Sequence, residues 1–278
     1  EFLHDVFEEF SKKKLSIKSV IHFAGLKSVE ESVNFPIKYW DVNVNGTLRL
    51  LSIMEKFECY NLVFSSSATV YKPKLFESLK ESDQLGPINP YGNTKLCIER
   101  VLKDLFNSNK TKWRIINLRY FNPVGAHASS LIGEDPQLRA SNLFPIILNS
   151  LREGNAEFYV FGNDWPTEDG TCIRDYIHIQ DLADAHTKSL EFLLKNEPQF
   201  ISLNIGTGQG KSVLDVIKKF NKVNNLKLNY KFVNRREGDA PYVVADSTLA
   251  YSLLKWLPKR NIDDMCLDAW NWERNNKA

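Results

Sequence analysis

The rhythm of apolar and polar positions changes near residue 123. Before it, Phe2, Leu3, Val6, Phe7 and Phe10 fall at helical spacing and predict an amphipathic helix over 1–13. Lys12 to Lys14 close it with positive charge at its negative end. Ser19 to Gly25 is an apolar run ending in small residues, as a buried parallel strand ends at a cleft. A helix is expected over 44–57, with Leu48, Leu51 and Met54 inward. Asn61 to Ser66 reads as a second buried strand that opens into Ser67-Ala68-Thr69-Val70-Tyr71. Residues 72–90 are polar and Pro-containing, hence a loop. Tyr91 to Phe106 is helical, Trp113 to Arg119 is a third strand, and Tyr120 to Pro123 leaves its end. Strand, helix, strand, helix, strand at this spacing calls for a parallel sheet with right-handed crossovers.

Beyond residue 123 the segments shorten and Gly and Pro interrupt them. Short strands are expected at 157–161, 201–205 and 228–233, and helices at 143–152, 181–195, 212–223 and 262–274. The predicted fold is α/β: a doubly wound parallel Rossmann-type sheet over 1–123, and a smaller α/β lobe over 124–278. That lobe is expected over the carboxyl ends of the sheet, with some segments returning to it.

Composition narrows the partners. Thirty-six basic against 34 acidic residues leave a net charge of +2 and no basic stripe, which argues against nucleic acid. No apolar run approaches the roughly 18 residues of a membrane span. Six Trp, ten Tyr and seventeen Phe suit a protein that stacks rings or packs a deep cleft. Cys59, Cys97, Cys172 and Cys266 form no C-x-x-C pair and read as reduced thiols of a cytoplasmic protein. His22, His127, His178 and His186 lack ligand spacing, so they are expected to be structural, with no metal. Glu1-Phe2-Leu3 reads as the middle of a helix, as in a fragment of a longer chain.

The stretch Pro90-Tyr91-Gly92-Asn93-Thr94-Lys95 carries the candidate chemistry. If Pro90 opens a helix, Tyr91 and Lys95 share one face, one turn apart. A free tyrosine, with a pKa of about 10, is a poor base at neutral pH. An ammonium held beside it favours the phenolate, and the pair becomes a general base for an alcohol proton. No Gly-rich dinucleotide fingerprint occurs. Gly206-Thr207-Gly208-Gln209-Gly210 has no acidic partner about 20 residues on and reads as a structural turn.

Several stretches agree in order: His22 to Lys27, Phe64 to Tyr71, Tyr91 to Lys95, Leu118 to His127, Gly162-Asn163-Asp164 with Pro166 to Thr171, and Arg174-Asp175-Tyr176-Ile177-His178. Together they closely resemble the UDP-glucose 4-epimerase family of the extended short-chain dehydrogenase/reductase superfamily, over essentially the whole chain. The resemblance implies a tightly bound NAD, a UDP-hexose substrate, and transient oxidation at C4 that interconverts UDP-glucose and UDP-galactose. It implies that Tyr91 is the base, that Lys95 lowers its pKa and holds a nicotinamide ribose hydroxyl, and that Ser67 hydrogen-bonds the same substrate oxygen. A strand-end cap is the plain alternative for Ser67. By motif, Phe23, Ala24, Gly25, Leu26, Lys27 and Phe121 line the cofactor. Asn122, Asn142, Leu143, Tyr159, Phe161, Arg174, Arg236 and Asp239 resemble nucleotide-sugar contacts, with arginine suited to diphosphate. Arg236 also reads as a solvated charge. The family implies a homodimer joined through the helices at 44–57 and 91–106, with 1–123 the remainder of the NAD-binding domain.

The departures define the competing readings. The first βαβ unit, with its Gly-rich pyrophosphate turn, is not in the sequence. The family has Gly where Glu30, Lys72 and Leu138 stand, and a cofactor-touching Asn where Val42 stands. These favour, as alternatives, a catalytically impaired fragment or a non-catalytic nucleotide-sugar-binding fold. A dehydratase needs an acid pair after Thr69, and Val70-Tyr71 stand there instead. The family position that faces the sugar's C2 substituent falls on Val243, where a bulky Tyr goes with plain hexoses and smaller residues with N-acetyl sugars. A slip of one residue puts Tyr242 there instead.

Overall fold

The computed structural model describes residues 2–135, 142–154, 157–236 and 239–276. In chain order it has helix α1 (Phe2–Lys12), strand β1 (Val20–His22), α2 (Val29–Asn34), α3 (Pro36–Tyr39), and a π-helical turn (Trp40–Asn45) that runs into α4 (Gly46–Lys56). Then follow β2 (Asn61–Ser65), a 3-10 turn (Ala68–Val70), α5 (Pro90–Ser108), β3 (Arg114–Tyr120), β4 (Asn122–Val124), α6 (Leu143–Arg152), β5 (Phe158–Phe161) and β6 (Ile173–His178). The remainder is α7 (Ile179–Lys195), β7 (Gln199–Ile205), β8 (Gly210–Ser212), α8 (Val213–Asn224), β9 (Tyr230–Val233), β10 (Tyr242–Val243), α9 (Thr248–Leu254) and α10 (Ile262–Asn276). No helix among the described residues is long and apolar enough to cross a membrane.

The chain divides into two compact units. One comprises Glu1–Lys72, Glu81–Arg119 and Ala185–Leu203; the other comprises Pro73–Lys80, Tyr120–Asp184 and Asn204–Ala278.

The first unit holds a sheet in the order β1-β2-β3-β7. β1 pairs with β2, and β2 with β3, in parallel, with Val20 opposite Leu62 and Ser65 opposite Leu118. Leu62, Phe64, Trp113 and Ile115 of this sheet pack against Leu50, Leu51 and Met54 of α4 and Ile98 and Leu102 of α5. Each such buried side chain stabilises by about 1.5–3 kcal/mol over exposure, which fixes which helix faces turn inward. On α4 that face is Thr47, Leu50, Leu51 and Met54. Leu48, expected inward, is 44% exposed. It lies one residue, about 100°, off the buried stripe.

In the second unit β6 lies between β10 and β4, parallel to both, and β8 pairs antiparallel with β6. β5 and β9 form a separate parallel pair. Phe144, Ile147, Phe158, Val160, Tyr176, Val216, Phe220, Met265 and Cys266 form the core. β6 and β4 were not expected as strands. β6 carries Arg174 and Asp175, which mask its apolar pattern. β4 contains Pro123 and sits at the sheet edge, where a residue without an N–H is tolerated.

Candidate active site

α5 begins where its sequence says it should. Asn89 Oδ1 accepts from Gly92 N at 2.8 Å, and Pro90 occupies the first helical position. Gly92 lets this end pack tightly. A Cβ there would stand 2.6 Å from Thr69 O and 3.0 Å from Pro87 Cβ. The helix start and the serine turn of residues 67–69 are therefore in close backbone contact.

Tyr91 and Lys95 are both buried on this helix. Lys95 Nζ lies 5.9 Å from the Tyr91 ring centre and 4.9 Å from that of Phe64, and donates to Ser65 O at 2.8 Å. Burial pulls the Lys95 ammonium down to about 8, against the Glu99 carboxylate, which holds it up. The same ammonium helps burial to push His22 down to about 4. At neutral pH Lys95 is thus charged and His22 is neutral.

Ser67 Oγ accepts from Thr69 N at 3.2 Å and from Thr69 Oγ1 at 3.0 Å. It caps the turn, and with its acceptor positions engaged its own O–H is left to donate. Cap and donor are therefore compatible roles for one hydroxyl.

The loop after β1 is joined to this helix by Asn43, which sequence reasoning missed. Asn43 Oδ1 accepts from Leu26 N at 2.7 Å, and Nδ2 donates to Leu26 O and to Thr94 Oγ1, both at 3.1 Å. Thr94 Oγ1 in turn donates to Tyr91 O at 2.7 Å. Asn43 lies in the π-helical turn, a distortion that recurs at functional sites. Phe23, Ala24, Gly25 and Lys27 are exposed, with Leu26 half-buried. Gly25 has φ +154°, and a Cβ on it would stand 3.0 Å from Asn43 Oδ1 and 4.0 Å from Lys95 Nζ. The absent side chain leaves a cradle beside the ammonium.

In the second unit, β5 alternates: Phe158 and Val160 are buried, Tyr159 and Phe161 exposed. Arg236 lies 5.5 Å from the Phe161 ring centre. Asp239 Oδ1 is 3.4 Å from Arg174 Nη2 and 3.2 Å from Arg236 Nη2, and Arg174 Nη1 donates to Ala240 O at 2.7 Å. Two guanidinium groups thus share one carboxylate and keep net positive charge. Arg236 is bound at the surface rather than simply solvated. Asp175, also missed, is fully buried and accepts from Thr207 N, Thr207 Oγ1, Gly208 N and Ala245 N at 2.5–3.1 Å. It makes residues 206–208 a structural turn and braces β6 next to Arg174. Val243 pairs with Arg174 in register. Tyr242, its neighbour, puts its ring 6.0 Å from that of Phe76. Asn122 Nδ2 donates to Asp175 O at 3.0 Å, and Phe121 is buried with its N–H on Ile205 O at 3.1 Å. Asn142 precedes α6 without a side-chain cap bond, and Leu143 opens that helix.

The departures cost little locally. Glu30 and Lys72 are not among the described residues with left-handed backbone, so neither position demands glycine. Val42 is exposed, and Asn43 beside it makes the bonds to Leu26. Leu138 lies outside the described residues. Of the five histidines, the four expected to be structural have hydrogen-bond partners: His22 with Thr47, His127 with Ser129, His178 with Asp268 and His186 with Ser65.

A parallel sheet whose strand ends meet a buried tyrosine–lysine pair defines the class: a Rossmann-type α/β protein. The chain belongs to the NAD dependent epimerase/dehydratase family, whose pattern matches residues 4–206. It is 46% identical over 260 residues to the UDP-glucose 4-epimerase of Bacillus subtilis, covering 94% of this chain and 76% of that one. Its structure resembles that of the UDP-glucose 4-epimerase of Stenotrophomonas maltophila with bound NAD and formylated UDP-arabinopyranose. There the TM-score is 0.92 and the identity 43%, over 98% of this chain and 79% of that one. The Bifidobacterium longum enzyme in complex with NAD+ and UDP gives a TM-score of 0.89 and 42% identity, over 97% and 80%.

Proposed function

We propose that the protein interconverts UDP-glucose and UDP-galactose. The observation that carries this reading is the buried Tyr91–Lys95 pair, its ammonium charged at neutral pH, on a helix packed against the Ser67 turn. The cradle at Gly25 beside Lys95 fits NAD, which Phe23, Ala24, Gly25, Leu26 and Lys27 would line, with Lys95 on a ribose hydroxyl. Phe121, in the second unit, is assigned to the same ligand by motif alone. NAD, when bound, supplies the reversible two-electron oxidation of the sugar at C4. Tyr91 takes the proton from the 4-hydroxyl and later returns it. Lys95 makes the phenolate accessible near neutral pH. Ser67 donates its O–H to the C4 oxygen and holds it toward Tyr91. In the second unit Arg174 and Arg236 bind the diphosphate, with Asp239 setting their spacing. Tyr159 and Phe161 offer exposed rings to the uridine, and Asn122, Asn142 and Leu143 complete its surroundings.

The substrate range extends to UDP-N-acetylglucosamine and UDP-N-acetylgalactosamine. Adjacent strand residues point to opposite faces, so with Tyr242 turned to Phe76 it is Val243 that shares a face with Arg174. Valine leaves room that a tyrosine ring would fill. The protein works as a cytoplasmic homodimer. Exposed Leu48 on α4 supports the dimer, and its free cysteines suit a reducing compartment.

The test is conversion of UDP-galactose to UDP-glucose by wild type and by Tyr91→Phe. Loss of about 100- to 10,000-fold, with an unchanged circular dichroism spectrum, is expected of a removed acid–base group. A variant within a few-fold of wild type overturns the assignment.

A further inference from the structure

Behind the Tyr91–Lys95 pair lies a second set of buried charges that proton transfer does not itself require. Glu99 is one turn further along α5 from Lys95, on the same helix face. Both Glu99 and Arg119 are buried. Arg119 Nη2 lies 2.6 Å from Glu99 Oε2, and Nε lies 3.0 Å from Oε1 and 3.2 Å from Oε2. Ser66 Oγ donates to Glu99 Oε1 at 2.5 Å. Arg119 is itself held by Tyr71 Oη at 3.0 Å and Glu81 O at 3.2 Å. The carboxylate therefore has a fixed position, with donors from β3 and from the serine turn.

Burial of this kind is costly, and a structural ion pair gains little over an apolar pair of the same volume. Its position next to Lys95 gives it another use. Lys95 donates to one neutral acceptor, Ser65 O, and stands over the Phe64 ring in an environment that favours its uncharged form. The charged and titratable groups around it are few. Its own helix brings Tyr91 and Glu99, and β1 brings His22, held neutral. α2, α3 and the π-helical turn, also packed on α5, bring Glu30, Glu31, Lys38, Tyr39 and Asp41, and β3 brings Arg119. Glu31 pairs with Lys38 and Tyr39, and Asp41 accepts from Asn45. Glu99, buried one turn from Lys95 on the same helix face, is the anion that opposes the loss of the Lys95 charge.

We propose that Glu99, oriented by Arg119 and Ser66, is a positioning residue that keeps Lys95 charged and so sets the alkaline limit of the Tyr91 base. This rests on the reading of Tyr91 and Lys95 as the acid–base pair. Removing the Glu99 charge leaves Lys95 in the same dry site without its counter-charge. Its ammonium is then lost at lower pH, and the phenolate loses its stabiliser with it.

The experiment uses Glu99→Gln and the double variant Glu99→Gln/Arg119→Gln, which removes both buried charges and leaves neither unpaired should the single variant fail to fold. Two readouts are taken. One is the pH profile of epimerisation, and the other is the 13C titration of the Lys95 ε-carbon without cofactor, assigned by its absence in Lys95→Arg. In Glu99→Gln the Lys95 midpoint and the alkaline limb should fall together by about one pH unit or more, and in the double variant, which also loses the Arg119 charge, they should fall in the same direction by less. For a shift of about one unit in Glu99→Gln, activity at about pH 9 relative to about pH 7 then drops about fivefold. A Lys95 midpoint unchanged within a few tenths of a unit overturns the proposal, as does activity lowered equally at every pH, which is the mark of a purely structural pair. Wild type that fails to epimerise overturns the functional reading instead, and the Lys95 titration still decides the role of Glu99.

Discussion

Lys95→Met replaces a buried ammonium with an apolar side chain of similar length. Lys95 is 4% exposed, and burial pulls it to about 8, with Glu99 opposing. In the unfolded chain a lysine titrates near about 10.4. The folded value is the lower one, so between the two the unfolded chain binds more protons, and stability rises with pH. The contribution is complete above the unfolded value and is lost as pH falls through about 8. Integrated from about pH 7 to about pH 9.5 it amounts to about 2 kcal/mol. Groups that Lys95 does not touch are common to wild type and variant and cancel in the difference, while a Tyr91 phenolate favoured only beside the Lys95 charge adds to the slope with the same sign. The lost bond to Ser65 O shifts that difference by about 1 kcal/mol at every pH and leaves its slope untouched. His22, which Lys95 helps to hold neutral, titrates below the window. Urea unfolding followed by circular dichroism at several pH values should show wild type gaining about 2 kcal/mol on Lys95→Met between about pH 7 and about pH 9.5. A difference that stays flat, or falls with pH, refutes the reasoning. The expected result makes Lys95 a stability cost at neutral pH, which its proposed role beside Tyr91 accounts for.

Gly92→Ala places a Cβ 2.6 Å from Thr69 O and should destabilise by about 1–3 kcal/mol in thermal melts, with kcat falling further than stability accounts for; near-wild-type behaviour would show that the close approach is dispensable. Val243→Tyr should abolish turnover of the N-acetyl sugars while sparing UDP-galactose in the coupled assay; unchanged N-acetyl turnover would remove Val243 from the pocket. If the proposed dimer forms through α4, Leu48→Glu on its exposed side should give a monomer by analytical ultracentrifugation where wild type sediments as a dimer, and an unchanged mass would place the interface elsewhere.

The legible parts of the chain were those where burial acts uniformly along an element. β2 is buried from Leu62 to Ser65 and reads as an apolar run, and β3 keeps Ile115, Ile116 and Leu118 as a buried apolar core around Asn117. α5 shows its cap, its opening proline and its inner stripe in consecutive residues. β6 hid because Arg174 and Asp175 interrupt it, and the partners that make them tolerable come from residues 206–208, 239–240 and 245. Asn43 hid for the same reason. Its three bonds reach Leu26 and Thr94, respectively 17 and 51 residues away, and no local spacing encodes them.

The three serines after Phe64 mark the boundary between what a motif carries and what geometry adds. By sequence they are equivalent, and Ser67 stands out only through its place in the family pattern. In the fold each acts through a different atom. Ser65 holds Lys95 with its backbone carbonyl, while its hydroxyl meets His186. Ser66 holds Glu99 with its hydroxyl. Ser67 caps the turn with its oxygen and keeps its proton to donate. Any residue at position 65 retains the bond to Lys95, because any residue has a carbonyl. At 66 and 67 the hydroxyl itself is required. The same letter repeated three times thus carries three different tolerances to substitution, which follow from the atom each serine uses and not from its type.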